Sequence, residues 1–253
     1  MQPRTKLLFA KEFLITWLCL AATLQAAPVV DHSLYARLLF RHVHDGRVDY
    51  DGFKTDEAML DQYLQKSAQV VPESLEQHEA MAFYINLYNA WTIKLILSKY
   101  PDLKSIKDLG GLFNSPWKKA LVKLSGRTVT LDHIEHDILR PKFKDPRVHF
   151  AINCASNGCP PLAPFPYTGE RLEEQLDAAV RAFLNNPDSN YLEGNNLHVS
   201  RIFKWFGEDF NNDVIGFFRR YADDDLKKRL DEKKGKLRIS YLDYDWSLNS
   251  FKK

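Results

Sequence analysis

The chain has 253 residues, 45% of them hydrophobic and 27% charged, with 35 basic and 33 acidic side chains and three cysteines. Its start reads as a signal peptide over 1–26: Arg4, Lys6 and Lys11 supply positive charge, 13–22 are apolar, and Leu24-Gln25-Ala26-Ala27 is a small-residue end suited to cleavage. Cleavage would remove those three cations and Glu12, leaving the two signs balanced, so composition excludes a basic nucleic-acid binder and no nucleic-acid partner is expected.

The apolar run at 13–22 is shorter than the roughly 20 residues of a membrane span. An uncleaved anchor is the alternative to cleavage. Cys19 is not read as a lipid anchor, because Thr16-Trp17-Leu18 lacks the small residues expected before one. No later segment is apolar enough to span, so no transmembrane segment is expected after cleavage. The remainder, 27–253, reads as one globular domain, periplasmic or secreted, with enough length for a real core. It keeps two cysteines, Cys154 and Cys159, and an even number in an exported chain leans towards a disulfide.

In chain order, Asp31 can cap a helix carrying Leu34, Leu38 and Leu39 to about His44, and Gly46 stops it. Residues 48–50 are expected to be extended. Thr55 and Asp56 open a second helix with Met59, Leu60, Tyr63 and Leu64 inward. A long third helix is predicted over 74–100, ended by Pro101. Its centre, 81–91, is apolar nearly all round, which marks it as central. A hairpin, 121–124 with 128–130, turns at Ser125-Gly126. Thr130 can cap a short helix over 131–139 that Pro141 terminates. Residues 148–152 read as a strand, and Thr168 as the cap of a helix to about Leu184. A hairpin flanks Gly194-Asn195-Asn196. Helical runs over 202–221 and 224–233 follow, and Leu237, Ile239 and Tyr241 alternate as a last strand. The expected fold is α+β, a helix-rich single domain with a small, mostly antiparallel sheet.

The chemistry concentrates around His149-Phe150-Ala151-Ile152-Asn153-Cys154-Ala155-Ser156-Asn157-Gly158-Cys159-Pro160. A nucleophilic thiol needs partial exposure and a partner that favours thiolate. In a strand, His149 would face away from Cys154, which favours His136, on the helix beside Glu135, as that partner. The bland alternative is a structural Cys154–Cys159 disulfide. A dithiol oxidoreductase is a third reading, weakened by the Cys-x4-Cys spacing and the absence of a βαβ pattern. No histidine spacing matches a metal site, and no metal or other cofactor is expected. Asn86 and Asn89 share a face of the long helix and organise either a core network or a substrate. Arg140 and Arg201 are candidates for receiving a carboxylate or phosphate. The aromatic runs 203–206 and 241–246 are taken as packing. Ser156 lacks a Gly-x-Ser-x-Gly context.

Four ordered segments over about 70–210 together resemble a known family. They are Phe83-Tyr84-Ile85-Asn86-Leu87-Tyr88-Asn89-Ala90, Asp132-His133-Ile134-Glu135-His136 through Arg140, the cysteine segment from His149 to Pro160, and Ser200-Arg201-Ile202-Phe203-Lys204-Trp205 through Asp209-Phe210. They look like the domain of unknown function 547, DUF547. The resemblance implies that the recurrent polar positions are Asn86, Asn89, Glu135, His136, Arg140, His149 and Cys154. It also implies an exported bacterial member. Some plant-type relatives keep the first cysteine with another residue at the second, which the resemblance takes as speaking against an obligatory staple. Asp137 departs from the pattern, where glycine is more usual after the histidine.

The expected function is a Cys/His-dependent hydrolase or acyl/amide transferase acting on an envelope peptide, polymer or protein. Cys154 would be the nucleophile, His136 or His149 the base, and Glu135 or an Asn amide the group orienting the imidazole. Asn86, Asn89, Arg140 and Arg201 would meet the substrate, and N–H groups over 155–158 would form an oxyanion hole. The alternative is a non-catalytic envelope binding or accessory module stapled by Cys154–Cys159.

Overall fold

The structure is a computed structural model that describes residues 28–111 and 114–251. The expected signal segment, with Cys19, lies outside them. Helix α1 (Ser33–His42) buries Tyr35, Leu38 and Leu39. The expected cap acts one residue early: Asp31 Oδ1 accepts from Ser33 N, 2.9 Å. A two-residue hairpin follows, β1 (Val43–His44) with β2 (Arg47–Val48), turning at Asp45 and Gly46, both with positive φ. A Cβ on Gly46 would lie 2.2 Å from Pro161 Cβ, so this turn can touch the cysteine loop only as glycine.

Residues 48–50 are not all extended. Asp49 Oδ1 accepts from Gly52 N and starts helix α2 (Tyr50–Thr55). Helix α3 (Glu57–Ser67) buries Leu60, Tyr63 and Leu64, as its spacing predicts. Helix α4 (Gln77–Leu97) is buried on nearly every side and forms the axis of the molecule. No helix among the described residues is long and apolar enough to cross a membrane.

The hairpin β3 (Val122–Leu124) with β4 (Arg127–Val129) forms as expected. Thr130 Oγ1 then caps α5 (Leu131–His133) by accepting from His133 N. Pro141 does not end this helix. The chain widens into a π-helix, Ile134–Phe143, with Pro141 inside it. In this wider spiral the missing proline N–H costs one bond at a place where the ladder is already irregular.

The expected strand at 148–152 is absent. Asp145 Oδ1 accepts from Arg147 N, Pro146 opens the turn, and Pro146–Phe150 forms a 3-10 helix. Thr168 does not cap through its side chain. A 3-10 turn, Gly169–Arg171, leads into α6 (Leu172–Leu184) instead. Strands β5 (Tyr191–Glu193) and β6 (Asn196–Val199) pair antiparallel. The expected run over 202–221 is broken into α7 (Ile202–Trp205), a 3-10 turn (Gly207–Phe210) and α8 (Val214–Tyr221), because Asn211 and Asn212 take positive φ. After α9 (Asp224–Glu232), β7 (Arg238–Tyr241) adds to β6 in parallel.

The chain is thus a helix-rich α+β domain with small sheets, antiparallel except for the β6–β7 pairing. Among the described residues there are two buried apolar clusters. One surrounds α4, and the other is rich in phenylalanine, among them Phe150, Phe183, Phe203 and Phe218. The segment around 146–152 belongs to both, since Val148, Ala151 and Ile152 enter the first and Phe150 the second.

Candidate functional site

The amides on α4 set the position of the cysteine loop. Asn89 Nδ2 donates to Ala151 O (2.9 Å), and Asn89 Oδ1 accepts from Asn153 N (2.8 Å). Asn153 then closes the loop on itself. Its Oδ1 accepts from Ala155 N (2.8 Å) and from Asn249 Nδ2 (3.1 Å), and its Nδ2 donates to Pro160 O (2.8 Å). Asn86 performs a similar task elsewhere, bonding Tyr167 N and O and the His32 ring. Both asparagines are buried, Asn89 bonded to backbone and Asn86 to backbone and the His32 ring, so they organise the core.

The loop also pairs with the C-terminal segment. Asn157 N donates to Ser247 O, Gly158 N to Asp245 O, and Asn249 N to Ala155 O. Of the N–H groups expected to form an oxyanion hole, those of Ala155, Asn157 and Gly158 are already used within the protein. Ala155 itself has φ 61°, a left-handed conformation uncommon for a residue with a Cβ. Cys154 and Cys159 form a disulfide pair with Cα atoms 6.2 Å apart, inside the range a disulfide spans. Cys154 Sγ also lies 3.1 Å from Tyr244 Oη.

Cys154 lines a cleft of about 200 Å³ together with Glu135, His136 and His149. Four sequence candidates therefore converge. The turn at Pro146–Phe150 explains why: without a strand, the alternation that would send His149 away from Cys154 does not apply. A neighbouring depression of about 560 Å³ shares Cys159, Pro160 and Tyr244 with the cleft but has no histidine.

The two histidines are held differently. His149 Nε2 is 2.7 Å from Asp209 Oδ2, and Phe206 stacks on its ring with centroids 4.0 Å apart. The same carboxylate takes Arg140 Nε (2.6 Å) and Arg140 Nη2 (3.1 Å). Burial raises the Asp209 carboxyl, but the bonds from His149 and Arg140 and the charge beside it outweigh this and hold it well below the usual carboxylate range. An ionised Asp209 accepts from His149 Nε2–H, which leaves Nδ1 as the lone-pair nitrogen. His136 has the opposite tautomer. Arg140 Nη1 lies 2.9 Å from His136 Nδ1, and since arginine only donates, Nδ1 accepts and the proton sits on Nε2.

Glu135 is buried and its Oε2 accepts from Tyr88 Oη–H, 3.1 Å. It orients neither imidazole; Asp209 does that for His149. Burial, and secondarily the Glu135 charge, raises the phenols of Tyr88 and Tyr244, so both remain donors. Arg201 does not join the site. Its Nε donates to Leu242 O (3.0 Å) and its Nη2 pairs with Asp243 (2.8 Å), fixing the C-terminal segment. Among the described residues no three His, Cys, Asp or Glu side chains converge as metal ligands.

Sequence reasoning assigned no role to Asp209 and treated the aromatic runs as packing. Trp205, Phe206, Tyr244 and Trp246 instead form a wall of the cleft. The available signal was two aromatic clusters far apart in sequence, each next to a carboxylate.

Neither the curated proteins nor the solved structures contain a match to this chain. One family profile does match, that of "Protein of unknown function, DUF547", over residues 72–184. That span includes α4, the π-helix and the cysteine loop, and over it the chain carries the sequence pattern of the DUF547 family.

Proposed function

We propose that this chain is a thiol-dependent hydrolase or acyl/amide transferase, exported and acting on an envelope peptide, polymer or protein. The observation that carries the reading is that Cys154 and an Asp209-held His149 line one cleft. The pair Cys154–Cys159 is first reduced to two thiols by a thiol reductant of the compartment. His149 Nδ1 takes the Cys154 proton, and Tyr244 Oη–H donates to the sulfur and favours thiolate. The thiolate attacks an acyl carbonyl carbon, and His149 returns its proton to the departing amine or alcohol. Water or a second acceptor then releases the thioester. His136 Nε2–H is the donor assigned to the oxyanion, replacing the occupied loop N–H groups. The bonds of Asn153 and the C-terminal ladder hold the loop independently of the disulfide, so its shape survives reduction.

The test is an acyl-enzyme burst with p-nitrophenyl acetate on reduced protein. The burst is expected in wild type and in Cys159→Ala, absent in Cys154→Ala, and at least ~100-fold slower in His149→Ala. An undiminished burst in Cys154→Ala would sink the reading.

A second reading is favoured by one observation, the disulfide reach of the two cysteines. In it the domain is a stapled binding module. It predicts full oxidation in mature protein and a loss of about 2 kcal/mol on removing the pair.

A further inference from the structure

The cleft has a charge character that the thiol chemistry does not use. Among the described residues lining it are two carboxylates, Asp132 and Glu135, and no lysine or arginine. Glu135 is 9% exposed and has no ion-pair partner among the described residues. Its one side-chain bond is to a neutral phenol. Arg140 makes its ion pair with Asp209, and Glu135 acts on it only through the longer-range field.

A buried carboxylate of this kind is costly unless something compensates it. An aromatic wall lines the same cleft. Tyr244 and Trp246 have centroids 4.6 Å apart, Trp205 and Tyr244 4.8 Å, Trp205 and Trp246 5.7 Å, and Trp117 and Trp246 6.0 Å. Indole and phenol faces attract cations, and more strongly where water is excluded. The protein already uses one of these rings in this way: Lys107 Nζ sits 3.6 Å from the centroid of Trp246.

We infer that the cleft is a subsite for a cationic group, an alkylammonium such as a primary amine on an envelope peptide. The ammonium sits among the aromatic faces and is balanced by Glu135, with Asp132 at the same cleft. This rests on the proposed function and deepens it by naming the cationic group that the acyl substrate carries at that site.

The experiment uses tetramethylammonium chloride as probe, read by tryptophan fluorescence at pH 7. Tert-butanol serves as the neutral partner of similar shape, and sodium chloride as the ionic control. Saturable quenching is expected from the cation alone. Glu135→Gln should weaken it at least ~10-fold. Trp205→Leu provides a second variant at a position 44% exposed, where folding is not at stake, and should weaken it several-fold. Equal responses to tert-butanol or sodium chloride, tighter binding of a neutral sugar, or unchanged affinity in both variants would overturn the inference. The titration is repeated on Cys154→Ala, where acyl chemistry is removed. Cation binding there sustains the subsite even if no acyl-enzyme forms, and a burst without cation binding sustains only the thiol reading.

Discussion

The core around α4 keeps polar groups inside and satisfies them one by one, whereas the second core is built mainly of phenyl rings packed at tilted and edge-on angles. In the first, His32 Nδ1 meets Tyr63 Oη (2.8 Å), Asn86 bonds Tyr167, and Asn89 bonds the backbone on both sides of Ile152. In the second, Phe203 lies 4.8 Å from Phe210 and 5.2 Å from Phe218, and Asn190 is the main amide, bonding Phe183 O and Ser200 N. The first arrangement fixes directions and the second fills volume. The candidate site draws on both: the Cys154 loop hangs from Asn89, while His149 rests on Phe206 and Asp209. Arg140 ties the π-helix to Asp209 and so joins the two sides.

The contrast is open to test. The largest effect is expected from Phe203→Ala in the phenyl core, a fully buried side chain whose loss should cost about 3–5 kcal/mol in urea unfolding. That loss should be the same at pH 7 and pH 5, since the rings that Phe203 meets are Phe150, Phe210, Phe217 and Phe218; a strongly pH-dependent loss would erase the distinction between the cores.

The α4 core should behave otherwise. Burial depresses His32 from 6.5 to about 4. Between those values the unfolded chain binds a proton that the folded chain does not, so stability falls as pH drops through this window and levels off below it. The full loss is about 3 kcal/mol. Asp209, held low, loses its contribution only at more acid pH, as the carboxylate protonates. A urea midpoint that stays flat from pH 6.5 to 4 would contradict the placement of His32.

A smaller effect is expected from Asn89→Ala, about 2 kcal/mol, because it orphans the N–H of Asn153 and a carbonyl of Ala151. Hydrogen exchange at the Asn153 amide should accelerate while amides of α8 stay protected. Uniform acceleration would mean that the clamp is not local.

The helices were legible where apolar spacing and caps agree. The run of α4 needed no tertiary information, and α3 showed its inner face directly in Leu60, Tyr63 and Leu64. The segment from Val148 to Ile152 misled because its residues favour strands locally, yet the cap at Asp145 and burial in two cores make it turn. Pro141 read as a stop because sequence rules assume an α ladder, and a π-helix accommodates it. Cys154, His136, His149 and Glu135 were legible as chemistry-bearing types. Asp209 was not, since it reaches His149 from 60 positions away and nothing local marks that pairing.

The stitching of the C-terminal segment has a consequence for how the domain matures. Asn249 bonds Asn153 and Tyr50, Leu248 N reaches Lys104 O, and Phe251 N reaches Val48 O. Ribosomal synthesis delivers these residues after both cysteines and both histidines. Until they arrive, the loop lacks half its frame and the cleft lacks the wall that Tyr244 and Trp246 provide. The thiols are thus translated before the residues that frame them, and a chain ending before Tyr244 would lack one wall of the cleft.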